Sequence, residues 1–423
     1  MNLADINKRY NIFSEFVPHD GKGFTFSLSD DMIAKGFQAT AGSMILEGHR
    51  PVYDSTVSVR MRDAGASLIG KTNMHEFGVG VLSVAAKNPF DIERICGSGA
   101  ACAASLIDDH VALATSGWSG ISIPAAFCGV IGLTPTQGRV SRYGQIDNVS
   151  SMGPIGIIAP NTKILKKYLP VISGKDVNDP VSCSQPELKL GKSKLKTVAV
   201  PKGITDNVSK DVRKAFDDSV EMLKGMSVDI TYEDMPHLKY SMAAHYILAC
   251  VEGSLNFATY CGMRVGQQNG DMSLPFDDYF TSFRTKYFGQ EIKKSIISGT
   301  YMTLGDNRNE LYLRSLGIRQ LVLDDHKKIL SKYDTILTPS MPFIAPKSGE
   351  IEKMGYADKY LSGRFAIPPV FCGLPSISVP CGYSGGMPMG MQFISSHWNE
   401  DVLISAAEMW ENSFNIKRPE VLL

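Results

Sequence analysis

The sequence has no excess of charge of either sign and no long apolar run. Its 423 residues carry 43 Lys and Arg against 43 Asp and Glu, a formal net charge of zero. Autonomous nucleic-acid binding needs clustered excess basic charge, so we expect none. No apolar run of about 18 residues occurs, so we expect no membrane span. The first residues, MNLADINKRYNIF, are polar and unlike a signal peptide, which favours a cytoplasmic protein.

Paired-cysteine motifs and complete catalytic motifs are also missing. The eight cysteines form no CxxC pair, and none stands near a histidine at metal-ligand spacing. We therefore expect free, mostly buried thiols, no metal and no cofactor. His75 and Glu76 lack the second histidine of an HExxH zinc motif, and no GxSxG nucleophile elbow is present. Composition alone leaves a Ser-His-Asp triad open.

The stretch from Cys96 to Arg142 contains two loops rich in Gly and Ser, each followed by a helix start and an apolar strand. Glycine lets a backbone approach a ligand closely, and free N–H groups at a helix start can bind an anion or an oxyanion. Two ordinary tight turns of an α/β sheet would give the same pattern. A glycine-rich loop alone is a weak signal, so both interpretations stay open.

Hydrophobic periodicity predicts strands and helices that alternate along the chain, which indicates an α/β fold. Apolar residues at every second position predict a strand that ends near Ser29, and AGASLIG predicts another strand that Lys71 follows. Ser209 is the predicted N-cap of an amphipathic helix. Gly385 and Gly386 predict the turn of a hairpin between two apolar strands.

Several longer motifs resemble the amidase signature family, and within it the A subunits of tRNA-dependent amidotransferases. They are GKTNMHEF, FCGVIGLTPTQGRVSRYG, LPSISVPCG and GMPMGMQFIS. The resemblance covers nearly the whole chain. It implies a single α/β/α domain over residues 1–423, with a large mixed, twisted central sheet covered by helices. Within this domain, the lack of periodicity predicts a polar excursion at about 173–196, and amphipathic patterning predicts a mostly helical insertion at about 238–332.

Family members hydrolyse amides with a Ser-cisSer-Lys triad, and each of the three matching positions is altered here. When the chain is aligned on Pro124 and the following FCG, Gly120 takes the nucleophile's place and Cys96 that of the cis-serine. These positions are 24 residues apart, as the two family serines are. Ser29 occupies the position of the lysine base, six residues before Lys35. The resemblance therefore implies that the triad is lost.

The second loop retains residues that suit a binding role. Gly117, Trp118, Ser119 and Gly120 are the candidates for an oxyanion or ligand-binding loop. Trp118 stands where the family has glycine, and its bulk is expected to fill the place of an amide. Ser119 or Cys96 remains as a replacement nucleophile, although neither has an evident base.

The altered positions leave three hypotheses open. The first is a pseudo-amidase, which keeps the fold for binding or scaffolding. The second is an amide or glutamine hydrolase with rebuilt catalytic residues. The third is a component of an amidotransferase that obtains ammonia from elsewhere. The expected partners are amidotransferase-like proteins or a second copy of the chain.

Overall fold

The computed structural model describes residues 3–19, 23–191 and 193–419. The strands among these residues form one mixed sheet. Its 11 strands are β1 (Phe13–Phe16), β2 (Thr25–Ser29), β3 (Ser67–Thr72), β4 (His110–Thr115), β5 (Ile131–Thr134), β6 (Ile155–Ala159), β7 (Thr197–Pro201), β8 (Asp229–Glu233), β9 (Thr335–Pro339), β10 (Ser376–Ser384) and β11 (Met387–Ile394). They lie in the order β1-β3-β2-β4-β6-β5-β10-β11-β9-β7-β8. β2 pairs in parallel with β3 and β4, and β7 with β8 and β9, while the other pairs are antiparallel.

Helices cover both faces of this sheet. The α-helices are α1 (Leu3–Tyr10), α2 (Thr56–Asp63), α3 (Gly99–Leu106), α4 (Ser122–Cys128), α5 (Thr162–Ile172), α6 (Lys210–Gly225), α7 (Ser241–Phe257), α8 (Phe276–Tyr287), α9 (Gln290–Thr303), α10 (Arg314–Leu330), α11 (Ser348–Lys353), α12 (Tyr356–Leu361), α13 (Ile367–Phe371) and α14 (Glu400–Ser413). A π-helical segment, Arg308–Leu313, leads into α10. No helix among the described residues is long and apolar enough to cross a membrane.

The interior strand β4 shows why the sheet needs two layers of helices. Val111 and Leu113 pack into an apolar cluster with α2, α5, α6 and α14. Ala112 and Ala114, which point to the opposite face, pack with α1, α3 and α4. A strand buried on both faces requires cover on both, so the predicted α/β/α arrangement with a mixed sheet is confirmed.

Local signals in the sequence explain several element boundaries. The Ser209 hydroxyl accepts a hydrogen bond from the Val212 N–H at 3.3 Å and caps α6, as predicted. Gly385 and Gly386 have φ angles of 55° and 81°, which a two-residue hairpin turn between β10 and β11 requires. The strand β2 ends at Ser29. Lys71, predicted to follow a strand, instead lies within β3.

Two stretches lie outside the alternating pattern of strands and helices. Helices α7 to α10 succeed one another between residues 241 and 330. Residues 174–191 and 193–196 contain neither a helix nor a strand, and Lys192 lies outside the described residues. The helices α7, α8, α9 and α10 form an apolar cluster with α4 and α13 on the side of the sheet that carries the two Gly/Ser loops.

Candidate functional site

The two Gly/Ser loops meet at one edge of the sheet. β2, β3 and β4 are parallel neighbours, so their carboxyl ends lie at the same edge. The chain leaves β2 through Ser29 and β4 through Thr115, and the loop after β4 leads into α4. The other loop ends at Ser98, whose hydroxyl accepts a hydrogen bond from the Ala100 N–H and caps α3. Crevices at this edge are where open α/β sheets bind ligands.

A small cavity lies between these loops. Its volume is about 50 Å³, and its polar lining includes Ser29, Asp31, Ser98, Thr115 and Ser119. The four residues of the predicted binding loop, Gly117 to Gly120, all line it. One water needs roughly 10–15 Å³ on this measure, so the cavity holds a few waters at most. Typical small-molecule sites have roughly 300–1,000 Å³, so this one is too small for an ordinary substrate.

Ser29, at the position of the family's lysine, faces a carboxylate. Its hydroxyl donates a hydrogen bond to Asp31, and the Thr115 hydroxyl donates a second one at 2.6 Å. Both Ser29 and Asp31 are buried. Burial raises the pKa of Asp31, although these two hydrogen bonds oppose the rise. The proton of Ser29 is thus engaged with Asp31, and the described residues that line the cavity include no lysine.

Lys71 is close in the fold but is held in a separate ion pair. Its Nζ lies 3.5 Å from Asp30 Oδ1, and it donates to the carbonyl oxygens of Asp30 and Gln38 at 3.3 and 3.4 Å. Lys71 is fully buried, and desolvation lowers its pKa while Asp30 opposes that shift. The lysine is not among the residues that line the cavity, so its contacts are those of a structural ion pair.

Cys96 lies in the first loop, but its thiol turns into the core. The Sγ contacts the carbonyl oxygens of Ser98 at 3.1 Å and Ala86 at 3.3 Å. Cys96 is fully buried in an apolar cluster that also contains Cys102 and Cys128. Its neighbours Gly97 and Ser98 line the cavity, whereas Cys96 does not. The spacing in the sequence thus predicted correctly that the first Gly/Ser loop lies at the cavity, but it did not predict that the Cys96 thiol lies outside the lining.

Gly120, at the position of the nucleophile, has no room for a side chain. A Cβ built on it would lie 2.4 Å from the Thr115 carbonyl oxygen. Real Cβ atoms do not approach a backbone oxygen so closely. Position 120 requires glycine because the Thr115 carbonyl lies so close to its Cα, and not because its φ is positive. The backbone of this loop therefore has to move before position 120 can carry any side chain.

Ser119, the residue before Gly120, carries a hydroxyl and lines the cavity. Its backbone N–H donates to the Ser116 carbonyl at 2.8 Å, and its φ of 67° is left-handed. The Oγ is buried and lacks a hydrogen-bond partner among the described residues. His75 also lines the cavity, and burial lowers its pKa to about 4, so this imidazole is neutral at pH 7. No hydrogen bond joins Ser119 to a base within the part of the chain that is described.

Trp118 closes the outer side of the cavity. It is only 4% exposed, and its ring meets those of His245 and Tyr360 edge-on, at centroid distances of 5.3 and 5.7 Å. His245 connects the Gly117 carbonyl, 3.0 Å from Nε2, with the Tyr360 hydroxyl, 2.8 Å from Nδ1. Burial lowers the pKa of His245 to about 4, so it acts as a neutral positioning group for the loop. No sequence pattern signals this contact, because 128 residues separate the partners.

The described residues contain no group of three or more His, Cys, Asp or Glu side chains that could hold a metal ion. The cavity lining offers hydroxyls, the Asp31 carboxyl group, the neutral His75 imidazole and the amides of Gln145 and Asn148. These can hold a few waters or a very small polar molecule. Asp31 accepts hydrogen bonds from the Ser29 and Thr115 hydroxyls, whereas the Ser119 hydroxyl has no base as a partner among the described residues.

Known proteins share both the sequence pattern and the geometry of this chain. The family model "Amidase" matches residues 22–404. The A subunit of the glutamyl-tRNA(Gln) amidotransferase from Methanospirillum hungatei is 35% identical over 406 residues, which cover 92% of this chain and 92% of the relative. Its counterpart from a Geobacillus species is 34% identical over 405 residues, or 92% of this chain and 83% of the relative.

Solved structures agree with this assignment. The crystal structure of the Thermotoga maritima counterpart of these two relatives superposes with a TM-score of 0.83 at 29% identity, covering 99% of this chain and 93% of that one. A 6-aminohexanoate cyclic dimer hydrolase gives a TM-score of 0.83 at 20% identity, covering 100% of this chain and 94% of that one. At that identity the second likeness shows the fold alone.

Proposed function

This chain belongs to the amidase family, and from that premise we propose that it is a non-hydrolysing member that keeps the fold for binding or scaffolding. Three positions carry the family's chemistry, and each holds a residue here that cannot perform it. The proposal concerns the reaction alone, because the family model and the superposed crystal structure already show the family and the fold.

The observation that carries the proposal is the crowding at Gly120. A side chain at this position would meet the Thr115 carbonyl at 2.4 Å. The loop therefore lacks a nucleophile, and its backbone also cannot receive one without moving. A single lost side chain on an unchanged backbone could be restored by one substitution, which is not the case here.

The other two positions support the same conclusion. Ser29 cannot act as a base in place of lysine, because a hydroxyl is not basic near neutral pH and this one is bonded to Asp31. Cys96 cannot relay a proton across the cavity, because its thiol lies outside the lining. In a well-studied serine protease, loss of the nucleophile or of the base alone costs on the order of 10⁶ in kcat. Loss of all three leaves only residual stabilisation.

Hydrolysis of glutamine and of simple aliphatic and aromatic amides tests the proposal, with ammonia release by the purified full chain as the measurement. An active amidase of the same fold serves as the positive control. We expect ammonia release at the rate of the buffer blank. Turnover that Ser119→Ala or Cys96→Ala abolishes would overturn the proposal.

The second hypothesis, a hydrolase with rebuilt chemistry, rests on one observation. Ser119 has a buried, unpartnered hydroxyl in the same cavity as Asp31. Ser122 offers a matched control, because its hydroxyl is also buried and unpartnered but does not line the cavity. Activity lost in Ser119→Ala and kept in Ser122→Ala would establish this alternative.

The third hypothesis concerns assembly. The relatives from Methanospirillum and Geobacillus are named as parts of an amidotransferase, which makes an amidotransferase-like protein the first partner to test. In such a complex the fold would act as a scaffold while ammonia comes from elsewhere. Co-purification of the tagged chain from its native cells, followed by light scattering, separates a hetero-complex from a homodimer. A stable monomer without a partner would count against this role.

A further inference from the structure

A second, larger cavity lies on the outer side of Trp118. Its volume is about 430 Å³, which falls within the range of small-molecule sites. Its walls are formed by residues 75, 76, 79–82 and 84, by Trp118, by the start of α9 and by the helices α11 and α12. We propose that this outer cavity binds a small molecule with an aromatic or branched aliphatic body and a protonated amine. The proposal rests on the binding role proposed above and names its ligand class.

The walls of the outer cavity are mainly apolar, which suits an apolar body. Val79, Val81, Leu82 and Ile351 are buried side chains that line it, and each is between 5% and 7% exposed. Trp118 forms the boundary with the inner cavity, since it lines both. The inner cavity, at about 50 Å³, is too small to admit a ligand that fills the outer one. Burial of such a body is the main source of its binding energy.

The aromatic side chains favour a cation over an anion. Trp118, Tyr356 and Tyr360 all line the cavity. Lys294 Nζ already lies 4.8 Å from the centroid of the Tyr356 ring, so this group of rings stabilises one ammonium in the protein itself. The negative face of an aromatic ring attracts amines and repels carboxylates.

The charged side chains of the outer cavity also favour a cationic ligand. Three carboxylates, Glu76, Glu291 and Glu352, line the cavity against a single ammonium, Lys359. Glu76 accepts hydrogen bonds from Ser43 and the Gly289 N–H, and Glu291 pairs with Lys294 at 2.9 Å. Glu352 forms no ion pair among the described residues, which leaves it available to an amine.

The experiment uses three probes that share a phenyl ring and differ in charge: 2-phenylethylamine, phenylacetamide and phenylacetate. Binding to the full chain is measured by calorimetry and by tryptophan fluorescence at pH 7. We expect the amine to bind more tightly than the neutral amide, and the carboxylate to bind most weakly. Glu352→Lys should weaken binding of the amine by about 2- to 5-fold, as expected for loss of an exposed ion pair, and should strengthen binding of phenylacetate.

Glu187→Lys is the matched control, because it makes the same charge change at an exposed residue that does not line the cavity. It should leave all three affinities unchanged. The gain of phenylacetate binding also shows that the Glu352 variant is folded. Failure of all three probes to bind at millimolar concentration, or equal affinities for amine and carboxylate, would overturn the inference.

The same probes keep the two proposals separate. Conversion of phenylacetamide to phenylacetate and ammonia would overturn the non-hydrolysing role and leave the amine site standing. Absence of both binding and hydrolysis would remove the amine site and leave the non-hydrolysing role intact.

Discussion

Substitution of Gly120 tests directly whether this loop has room for a side chain, because Gly117 in the same loop is an uncrowded control. A Cβ at Gly120 would meet the Thr115 carbonyl at 2.4 Å, whereas one at Gly117 would meet nothing closer than 3.8 Å. Neither glycine has a positive φ, so alanine carries no left-handed backbone penalty at either position. Gly120→Ala and Gly117→Ala therefore differ in crowding alone.

The expected sizes follow from this difference. Crowding of a packed site costs about 1–3 kcal/mol. Unfolding of 423 residues at about 2.1 cal/mol/K per residue corresponds to an entropy of about 0.9 kcal/mol/K. Gly120→Ala should therefore lower the unfolding midpoint by about 1–3 °C. Gly117→Ala should leave it unchanged or raise it slightly, because alanine reduces the entropy of the unfolded chain.

Differential scanning calorimetry of the two variants and the parent chain measures these shifts. Gly120→Ser should show the same loss of stability as Gly120→Ala and should release no ammonia from glutamine. A Gly120→Ser variant as stable as the parent chain, or one that hydrolyses glutamine, would refute the claim that the loop has no room for the nucleophile.

Three further predictions concern the groups around the cavity. Lys71→Met should lower the free energy of unfolding by about 3–5 kcal/mol, because Asp30 is left buried without its partner, and the Lys71→Met/Asp30→Asn double variant should recover much of that loss in denaturant titrations. Burial lowers the pKa of His110 to about 3 and that of His245 to about 4, below the ordinary 6.5, so the folded state binds fewer protons and stability should be lost as the pH falls from 6.5 towards 4. Melting curves across that range check this, and a flat profile would contradict it. Trp118→Ala should join the two cavities and cost about 3–5 kcal/mol, and it should still give no ammonia release, because none of the three altered positions is restored.

The sequence predicted the parts of the structure that depend on local pattern. Alternating apolar residues placed the end of β2 at Ser29, and the paired glycines at 385 and 386 placed the hairpin. These features need only neighbouring residues. The α/β/α architecture came from the family resemblance, because pairing of distant strands such as β5 with β10 leaves no local signal.

The sequence predicted which two loops form the site, but not how their side chains are oriented or what they contact. Spacing brought the two loops together, but it could not show that the Cys96 thiol turns into the core or that Gly120 abuts the Thr115 carbonyl. Both depend on backbone direction. The role of Asp31 and the contact of His245 with Gly117 were also missed, because each joins segments that are far apart in the chain.

The central claim is that the cavity holds no activated nucleophile, and a fluorophosphonate that labels reactive serines tests it most directly. The full chain is incubated with the probe, and its intact mass is measured beside that of an active amidase and of the Ser119→Ala variant. We predict an unchanged mass for this chain while the active amidase gains one adduct. A stoichiometric adduct that maps to Ser119 and is absent from Ser119→Ala would contradict the claim.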